Sequence, residues 1–284
     1  GEQPLDGIDI LALAAAWRGG TGVTVADTQR AAQVLRGDTP PERLPGMAGR
    51  CFSYYRAAYG AALGGLAGHF AIRRTDPQTG EAEWIPAYGL KAFSPIAAGY
   101  PWSHYPDFGA QRSYGYARPH LGNDILGALG TPICAVEGGT VEALGWNQYG
   151  GWRIGIRSFD GKRYYYYAHL RKDYPYQSNL KEGSLVTAGD VIGYLGHTGY
   201  SSTENTNNIA EPHLHFGLQL IFDESQKEGN NEIWIDCYEL IRFLAINRSE
   251  TVKKDGTKEW TRVYEMKDSS LEQFSTNDKN SRKR

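Results

Sequence analysis

Residues 152–169 read WRIGIRSFDGKRYYYYAH. Two runs rich in aromatic and β-branched residues, 152–159 and 163–169, flank the dipeptide Asp160-Gly161. Such a dipeptide between two such runs is a strong signal for a tight turn that joins antiparallel strands. The segment therefore predicts a β-hairpin.

More short strand-like runs, separated by turn residues, surround this hairpin. They cover residues 131–136, 139–144, 185–186, 191–195 and 213–220. The pair Gly189-Asp190 indicates a further turn, and residues 235–243 predict a short helix or a strand–helix unit that ends the domain. We expect a mainly β, antiparallel domain over residues 96–245, where Gly, Tyr and Pro become more frequent.

The residues before this domain have a different pattern. Residues 1–95 predict a smaller, mostly α-helical N-terminal domain, with helices at 8–17, 27–35 and 52–70 and Asp27 as an N-cap. They contain one histidine, His69, and no group of residues that indicates chemistry. We expect a ligand-like or regulatory domain, which could bind a protein partner.

The residues after it, 246–284, form a polar C-terminal extension. Runs 250–254 and 257–264 flank Asp255-Gly256, so a hairpin is expected there. Residues 269–284 contain few large apolar residues, and we expect a disordered tail.

Composition excludes several classes of protein. The chain has 284 residues, 40% of them hydrophobic, and a formal net charge of -2, which argues against a dedicated nucleic-acid binder. No apolar run has the length of a transmembrane helix. The chain begins with Gly rather than Met, so we interpret it as a trimmed fragment, from which an export signal or a membrane anchor could have been removed.

The cysteines exclude two kinds of scaffold. Cys51, Cys134 and Cys237 lie far apart in the sequence, which rules out a cysteine-rich zinc ribbon and a disulfide-dense fold. One disulfide with one free thiol remains open as an alternative, and we favour three buried thiols.

Two histidine motifs in the β domain indicate metal chemistry. His120 and Asp124 are four residues apart, and His213 and His215 are separated by one residue. On a strand, a period of two places both rings on the same face. Two imidazoles and one carboxylate suit Zn²⁺, and three protein ligands leave a fourth position open, as in catalytic sites. Either motif alone is weak, and an ordinary core or surface role is its alternative interpretation.

The order of the motifs is more specific. The His120–Asp124 motif is followed by Tyr167-Ala168-His169-Leu170, by the glycine-rich run GDVIGYLGHTG at 189–199, and by Pro212-His213-Leu214-His215-Phe216. This series resembles the lysostaphin-type, or LytM-like, zinc metalloendopeptidases of bacterial cell walls. The resemblance covers roughly residues 115–220.

The resemblance implies a fold, a cofactor and a site. In the family, an antiparallel β-sheet forms a groove that holds one zinc ion. The matching metal ligands here are His120, Asp124 and His215. His213 and His169 match the two catalytic histidines, which handle the catalytic water and the developing oxyanion, and we favour His213 as the base. The implied substrate is a peptidoglycan stem peptide or cross-bridge, which implies a location outside the cytoplasmic membrane, in the cell wall.

This sequence departs from the family pattern in two loops. Residues 200–211 form a longer, Asn-rich loop, which we expect to be one wall of the groove, and residues 170–180 form a second rim loop. His197, His104 and Asp190 have ordinary structural interpretations, although His197 could touch substrate.

Two alternatives to an active peptidase remain open. The first is a catalytically silent scaffold that binds peptidoglycan or assembles a complex. The second is a latent enzyme, in which residues 102–118 or the N-terminal domain cover the groove, with His104 as one candidate for a fourth zinc ligand.

Overall fold

The structure, a computed structural model, describes residues 5–75, 79–227, 229, 231–271 and 274. The chain divides into two compact units, residues 1–68 and 69–284. The division into domains at 1–95, 96–245 and 246–284 stays a prediction. Among the described residues, no helix combines the length and the apolar composition that crossing a membrane requires.

The secondary structure is mostly β, with the long helices near the N-terminus. The helices are α1 (Gly7–Arg18), α2 (Val25–Leu35), α3 (Met47–Leu63) and α4 (Tyr238–Leu244). The strands are β1 (Ala67–Thr75), β2 (Ala82–Leu90), β3 (Trp102–His104), β4 (Gln111–Tyr114), β5 (Tyr116–Pro119), β6 (Asn123–Gly127), β7 (Pro132–Cys134), β8 (Gly139–Asn147), β9 (Gly151–Ser158), β10 (Arg163–Ala168), β11 (Leu185–Val186), β12 (Val191–Tyr194), β13 (His213–Leu220), β14 (Ile233–Ile235), β15 (Thr251–Lys253), β16 (Trp260–Arg262) and β17 (Met266–Asp268). Short 3₁₀ turns occupy Pro41–Arg43 and Glu224–Gln226. The predicted mainly β fold with a small helical N-terminal region is confirmed.

Three helices form the first unit. Their contact surface is built from alanines around Leu13 and Phe52, and these side chains are almost completely buried. Small residues let helix backbones approach closely, and partly buried hydrophobic side chains such as Trp17 and Tyr55 pack around them.

The start of α2 corrects one prediction. Thr24, not Asp27, is the N-cap, and its hydroxyl accepts a hydrogen bond from the Asp27 backbone N–H at 3.2 Å. The Asp27 carboxylate in turn accepts one from the Thr24 N–H at 2.9 Å. The two residues form a reciprocal capping box. Asp27 is therefore the third residue of the helix rather than its N-cap.

The predicted helix at 52–70 is wrong in its second half. Helix α3 ends at Leu63, and β1 begins at Ala67. Gly64 and Gly65 explain the change, because glycine disfavours a helix by about 1 kcal/mol per residue. In the strand, Phe70 lies opposite Asp268 of β17, and β2 completes a three-stranded sheet.

One large antiparallel sheet organises the second unit. Its strand order is β11-β8-β9-β10-β13-β6-β3, and β14 adds to β13. The predicted hairpin is confirmed: Tyr165 of β10 lies opposite Ile156 of β9, and Gly161 takes the left-handed conformation with φ 74° in the turn. Because side chains alternate along a strand, each strand supplies one face to the core and one to the outside.

Strand β10 shows this alternation clearly. Tyr165 and Tyr167 are fully buried on the core face, while Tyr164 and Tyr166 stand on the opposite face, which lines a groove. The buried hydroxyls are satisfied, since Tyr167 accepts from the Val136 N–H at 2.9 Å. A phenol in a core needs such a partner because an unpaired buried hydroxyl is costly.

A buried charge cluster ties β10 to the turn before β8. Arg163 has no exposed side-chain surface, and its Nε donates to Glu137 Oε2 at 2.7 Å. A second donor, Nη2, reaches Glu137 Oε1 at 3.0 Å and Asp160 Oδ2 at 2.8 Å. The Tyr165 hydroxyl also donates to Glu137, at 2.6 Å. The carboxylate of Glu137 is therefore held by two side chains of the predicted hairpin.

The remaining predictions for the C-terminal region and the cysteines have mixed outcomes. The hairpin expected after residue 250 is confirmed as β15 paired with β16. Much of the expected disordered tail, residues 272–273 and 275–284, lies outside the described residues. All three cysteines are free; Cys134 and Cys237 are buried, whereas Cys51 is only partly buried, which corrects the expectation of three buried thiols.

Candidate metal centre

Strand pairing brings the two histidine motifs together. Asp124 on β6 lies directly opposite His215 on β13, and His120 occupies the loop that enters β6. The ring nitrogen Nε2 of His120 is 3.1 Å from Asp124 Oδ1 and 2.8 Å from His215 Nδ1. His215 Nδ1 is 3.3 Å from Asp124 Oδ1. Three potential ligand atoms thus meet at one point, although His215 lies far from His120 and Asp124 in the sequence.

These three side chains fit a metal ion. Metal bonds of about 2.0–2.2 Å in a tetrahedron place ligand atoms roughly 3.3–3.6 Å apart. The three observed separations, 2.8, 3.1 and 3.3 Å, reach this range or are up to about half an ångström shorter. His120 Nδ1 lies 3.1 Å from the carbonyl oxygen of Asp107. A carbonyl oxygen only accepts, so Nδ1 carries the proton and the Nε2 lone pair is free for a metal. The structure therefore contains a His-Asp-His group that could hold one ion.

The electrostatics of the three residues are strongly coupled. Burial would raise the pKa of Asp124, but hydrogen bonds from His120 and His215 outweigh it and hold that pKa well below its ordinary value. Burial opposes protonation of His120, yet hydrogen bonds to Asp107 and Asp124 raise its pKa to about 9. Burial lowers the pKa of His215, with Asp124 acting in the opposite direction. A carboxylate that stays ionised is the state that a cation requires.

A second layer holds the centre in place. Arg112 on β4 donates from Nη2 to Asp124 Oδ2 at 3.0 Å and to Asp107 Oδ2 at 2.8 Å. Asp107 also accepts from the Asp124 backbone N–H at 3.3 Å. The contacts leave Oδ1 of Asp124 facing the two histidines and fix the orientation of the carboxylate. The sequence did not predict Asp107 or Arg112 as site residues, because neither belongs to a recognisable motif. Both lie within residues 102–118, the stretch that could cover the groove in a latent enzyme.

The other two predicted residues, His169 and His213, lie beside this centre. Their ring centroids are 4.8 Å apart, and His169 is 5.9 Å from the ring of His215. His169 donates from Nδ1 to the Thr198 carbonyl oxygen at 2.9 Å, and His213 donates from Nδ1 to the Glu211 carbonyl oxygen at 2.8 Å. Each ring therefore keeps a lone pair on Nε2. All five residues predicted from the sequence come together in one place.

His169 is held in an uncommon backbone conformation. It follows β10 directly and has φ 61°, in the left-handed region that residues other than glycine rarely adopt. Such strain persists only where surrounding contacts enforce it, and here the Thr198 hydroxyl binds the next carbonyl, that of Leu170, at 2.6 Å. Burial, together with the neighbouring His213 and His215, lowers the pKa of His169 well below its ordinary value. The ring is thus a neutral acceptor.

Three of the five residues, His120, His169 and His215, line a groove of about 470 Å³ on the outer face of the large sheet. Tyr166 forms its floor next to the centre, with its ring centroid 5.8 Å from that of His215. Tyr200, from the long loop predicted to be a wall, lines the groove, whereas no residue of the 170–180 loop is among its lining residues.

The two loops are nevertheless connected. Asn205 Oδ1 accepts from the Asp173 N–H and from Trp152 Nε1, each at 2.9 Å. Asn205 also donates from Nδ2 to Asp173 Oδ1 at 2.6 Å. These bonds join the rim loop to the Asn-rich loop and to β9, which restrains the wall that carries Tyr200.

Three residues that we expected to be structural, His104, His197 and Asp190, make contacts within the fold. His104 stacks between Trp102 and Tyr238, with ring centroids 5.1 and 4.4 Å away. His197 binds the Ile209 carbonyl oxygen at 2.8 Å and so holds the end of the long loop. Asp190 accepts from the Thr187 N–H at 2.8 Å within its turn. The stretch 102–118 does reach the centre, but through Asp107 and Arg112 rather than His104.

Comparison with known proteins agrees with this geometry. Residues 118–229 match the model of Peptidase family M23. The chain is 36% identical over 166 residues to the L-Ala–D-Glu endopeptidase of Bacillus subtilis, a match that covers 58% of this chain and 47% of that protein. It therefore spans about half the length of this curated relative.

Two solved structures are also similar. A structure described as a candidate glycyl-glycine endopeptidase, LytM, from Ruminococcus gnavus has a TM-score of 0.55 and 26% identity, covering 89% of this chain and 87% of that one. The catalytic domain of lysostaphin from Staphylococcus simulans is 30% identical, covering 50% of this chain and 92% of that domain, with a TM-score of 0.38. The matched region, residues 118–229, contains all five site residues, so this chain contains a peptidase M23 domain.

Proposed function

We propose that the protein is a zinc-dependent endopeptidase that hydrolyses peptide bonds in peptidoglycan stem peptides or cross-bridges. The observation that supports it is the meeting of His120, Asp124 and His215 beside two further histidines, His169 and His213, next to one groove. The similarity to an L-Ala–D-Glu endopeptidase supports the substrate class. Acting on this polymer implies a location at the cell wall.

His120, Asp124 and His215 would hold the metal. A zinc ion in such a set supplies Lewis-acid polarisation of a carbonyl and lowers the pKa of water towards neutrality. Arg112 and Asp107 keep the carboxylate oriented through the bonds described above, so that the ligand geometry exists before metal binds.

His169 and His213 manage the protons. His169 is neutral because of its burial, so its Nε2 can accept the proton of an attacking water and later deliver it to the leaving amine. His213 faces the same space and can donate a hydrogen bond to the developing oxyanion when protonated. Because a base must be neutral before it accepts a proton, the burial of His169 supports it in this role, whereas the sequence led us to favour His213.

The decisive experiment is the release of new amino groups from purified peptidoglycan, with zinc and with a chelator. We expect release that the chelator abolishes. His169→Gln should reduce the rate by about 10²- to 10⁴-fold while zinc content stays at one ion per chain. His197→Gln is the matched control, because that ring binds only a loop carbonyl in the described structure.

Two results would contradict the proposal. Release that continues unchanged in the chelator would exclude a metal-dependent reaction. The absence of release from several wall types, with zinc bound and with binding to the wall intact, would favour the scaffold alternative.

A further inference from the structure

Two arginines that line the groove have no carboxylate partner among the residues that the structure describes. Arg118, at the end of β5, lies over the rings of Tyr149 and Tyr200, 4.8 and 5.4 Å from their centroids. Its Nη1 is buried and makes no hydrogen bond with the described residues. Arg153, on β9, has a buried Nε that is also unbonded there. A buried donor without an acceptor is unfavourable unless a ligand supplies one.

Both side chains flank the floor of the groove beside the metal centre. Arg118 and Arg153 line the same groove as Tyr166 and His215. Arg153 pairs with Gly145 across β8, and Gly155, two residues further along β9, lies opposite Tyr166. A Cβ at Gly145 would meet no atom within 4 Å, whereas the Tyr164 ring covers Gly155, so a ligand can approach Arg153 from the Gly145 side.

The other arginine and lysine that line the groove are ion-paired. Arg112 is bound to Asp107 and Asp124, as described above. Lys227 is bound to Glu142. Glu232 accepts from the neutral Trp234 Nε1 at 2.8 Å, and no ion pair joins it to Arg118 or Arg153 among the described residues. Among the described residues that line the groove, these pairings leave Arg118 and Arg153 as two unneutralised cations.

We propose that Arg118 and Arg153 form a carboxylate-binding subsite, so that the groove selects peptides with a free carboxylate next to the scissile bond. This inference rests on the proposed function and narrows its substrate class. Guanidinium groups bind carboxylates through paired, charge-assisted hydrogen bonds. Glutamate within a peptide keeps one of its two carboxyl groups free, whereas a glycine bridge offers none. The subsite therefore favours acidic stem peptides over glycine cross-bridges.

The test compares two synthetic peptides that differ at one group. One contains L-Ala–D-Glu and the other L-Ala–D-Gln, with a pentaglycine peptide as a third substrate. The zinc-loaded full chain should cleave the acid with a kcat/KM about tenfold or more above that of the amide. Arg118→Gln and Arg153→Gln should each reduce this ratio towards one. Arg242→Gln is the control, since Arg242 pairs with Glu239 on the surface of α4.

Binding of the same peptides separates this inference from the proposed function. If no peptide is cleaved, the proposed peptidase activity fails, and the dissociation constants still test the subsite: tighter binding of the acid, lost in both variants, supports it. Equal affinity or equal kcat/KM for acid and amide in the wild type overturns the subsite even if both are cleaved. A preference that survives in both variants also overturns it.

Discussion

At the scale of single residues, the spacing of the histidines along the chain predicted the candidate metal site. The residues that hold its ligands in place are brought there by the folding of loops. His213 and His215 share a face because a strand has a period of two, so their convergence could be predicted from sequence. Arg112 reaches Asp124 only because β4 and β5 fold back as a hairpin. No local pattern predicts such a contact, and the residue was missed for that reason.

Arg112→Gln tests this support directly. We expect zinc affinity to fall by about 10- to 100-fold, because the variant loses the charge that orients Asp124 Oδ2. Titration against a competing chelator measures the change. Arg118→Gln is the control, as that guanidinium has no bond to a ligand of the centre. Unchanged affinity in Arg112→Gln would show that the carboxylate is oriented without it.

At the scale of elements, strands joined by recognisable turns were predictable, and elements with distant partners were not. The hairpin of β9 and β10 has its turn signal in Asp160-Gly161. Strand β1 pairs with β17 near the other end of the chain, and its sequence follows directly from an apolar helix. Local periodicity therefore extended the predicted helix through Gly64 and Gly65 to residue 70, although glycine disfavours a helix.

The buried cluster on β10 gives an element-scale prediction. Arg163→Leu removes the partner of Glu137 and leaves a carboxylate with its side chain only 7% exposed. We expect a loss of about 3–5 kcal/mol in the free energy of unfolding, because an uncompensated buried charge is costly. Tyr165→Phe is the control and should cost about 1 kcal/mol, since it removes one hydrogen bond. Urea unfolding measures both, and equal losses would contradict the charge argument.

The capping box of α2 gives a prediction about pH. Hydrogen bonds from Arg18 and Thr24 lower the pKa of Asp27 from 3.8 to about 2. A depressed pKa in the folded state stabilises the fold above the unfolded value, and this contribution is lost as pH falls through about 2. Asp27→Asn should therefore destabilise the helical unit at pH 7, and its difference from the wild type should vanish between about pH 4 and 2.

Unfolding of the full chain, followed by helical circular dichroism, measures that difference at each pH. Asp38→Asn is the matched control, because the described residues show no hydrogen bond to the Asp38 side chain. A destabilisation by Asp27→Asn that stays the same at pH 2 would mean that the charge of Asp27 plays no part in the cap.

At the scale of the whole molecule, metal binding should be coupled to the stability of the second unit. The three ligands come from the loop before β6, from β6 and from β13, so the site exists only when these elements are paired. A ligand that binds only the folded state stabilises it by about 4 kcal/mol at a concentration 1,000 times its Kd. We therefore expect chelation to lower the Tm of the full chain, and added zinc to restore it.

The variant His120→Ala separates this coupling from other effects of the chelator. It removes one ligand and its contact with Asp124, so its Tm should be lower at the start and insensitive to both chelator and zinc. The control His197→Gln should respond to the metal as the wild type does, because its ring is bound to a loop carbonyl. If His120→Ala keeps the full zinc response, the ion that stabilises the protein binds elsewhere, and the His-Asp-His group is not its site.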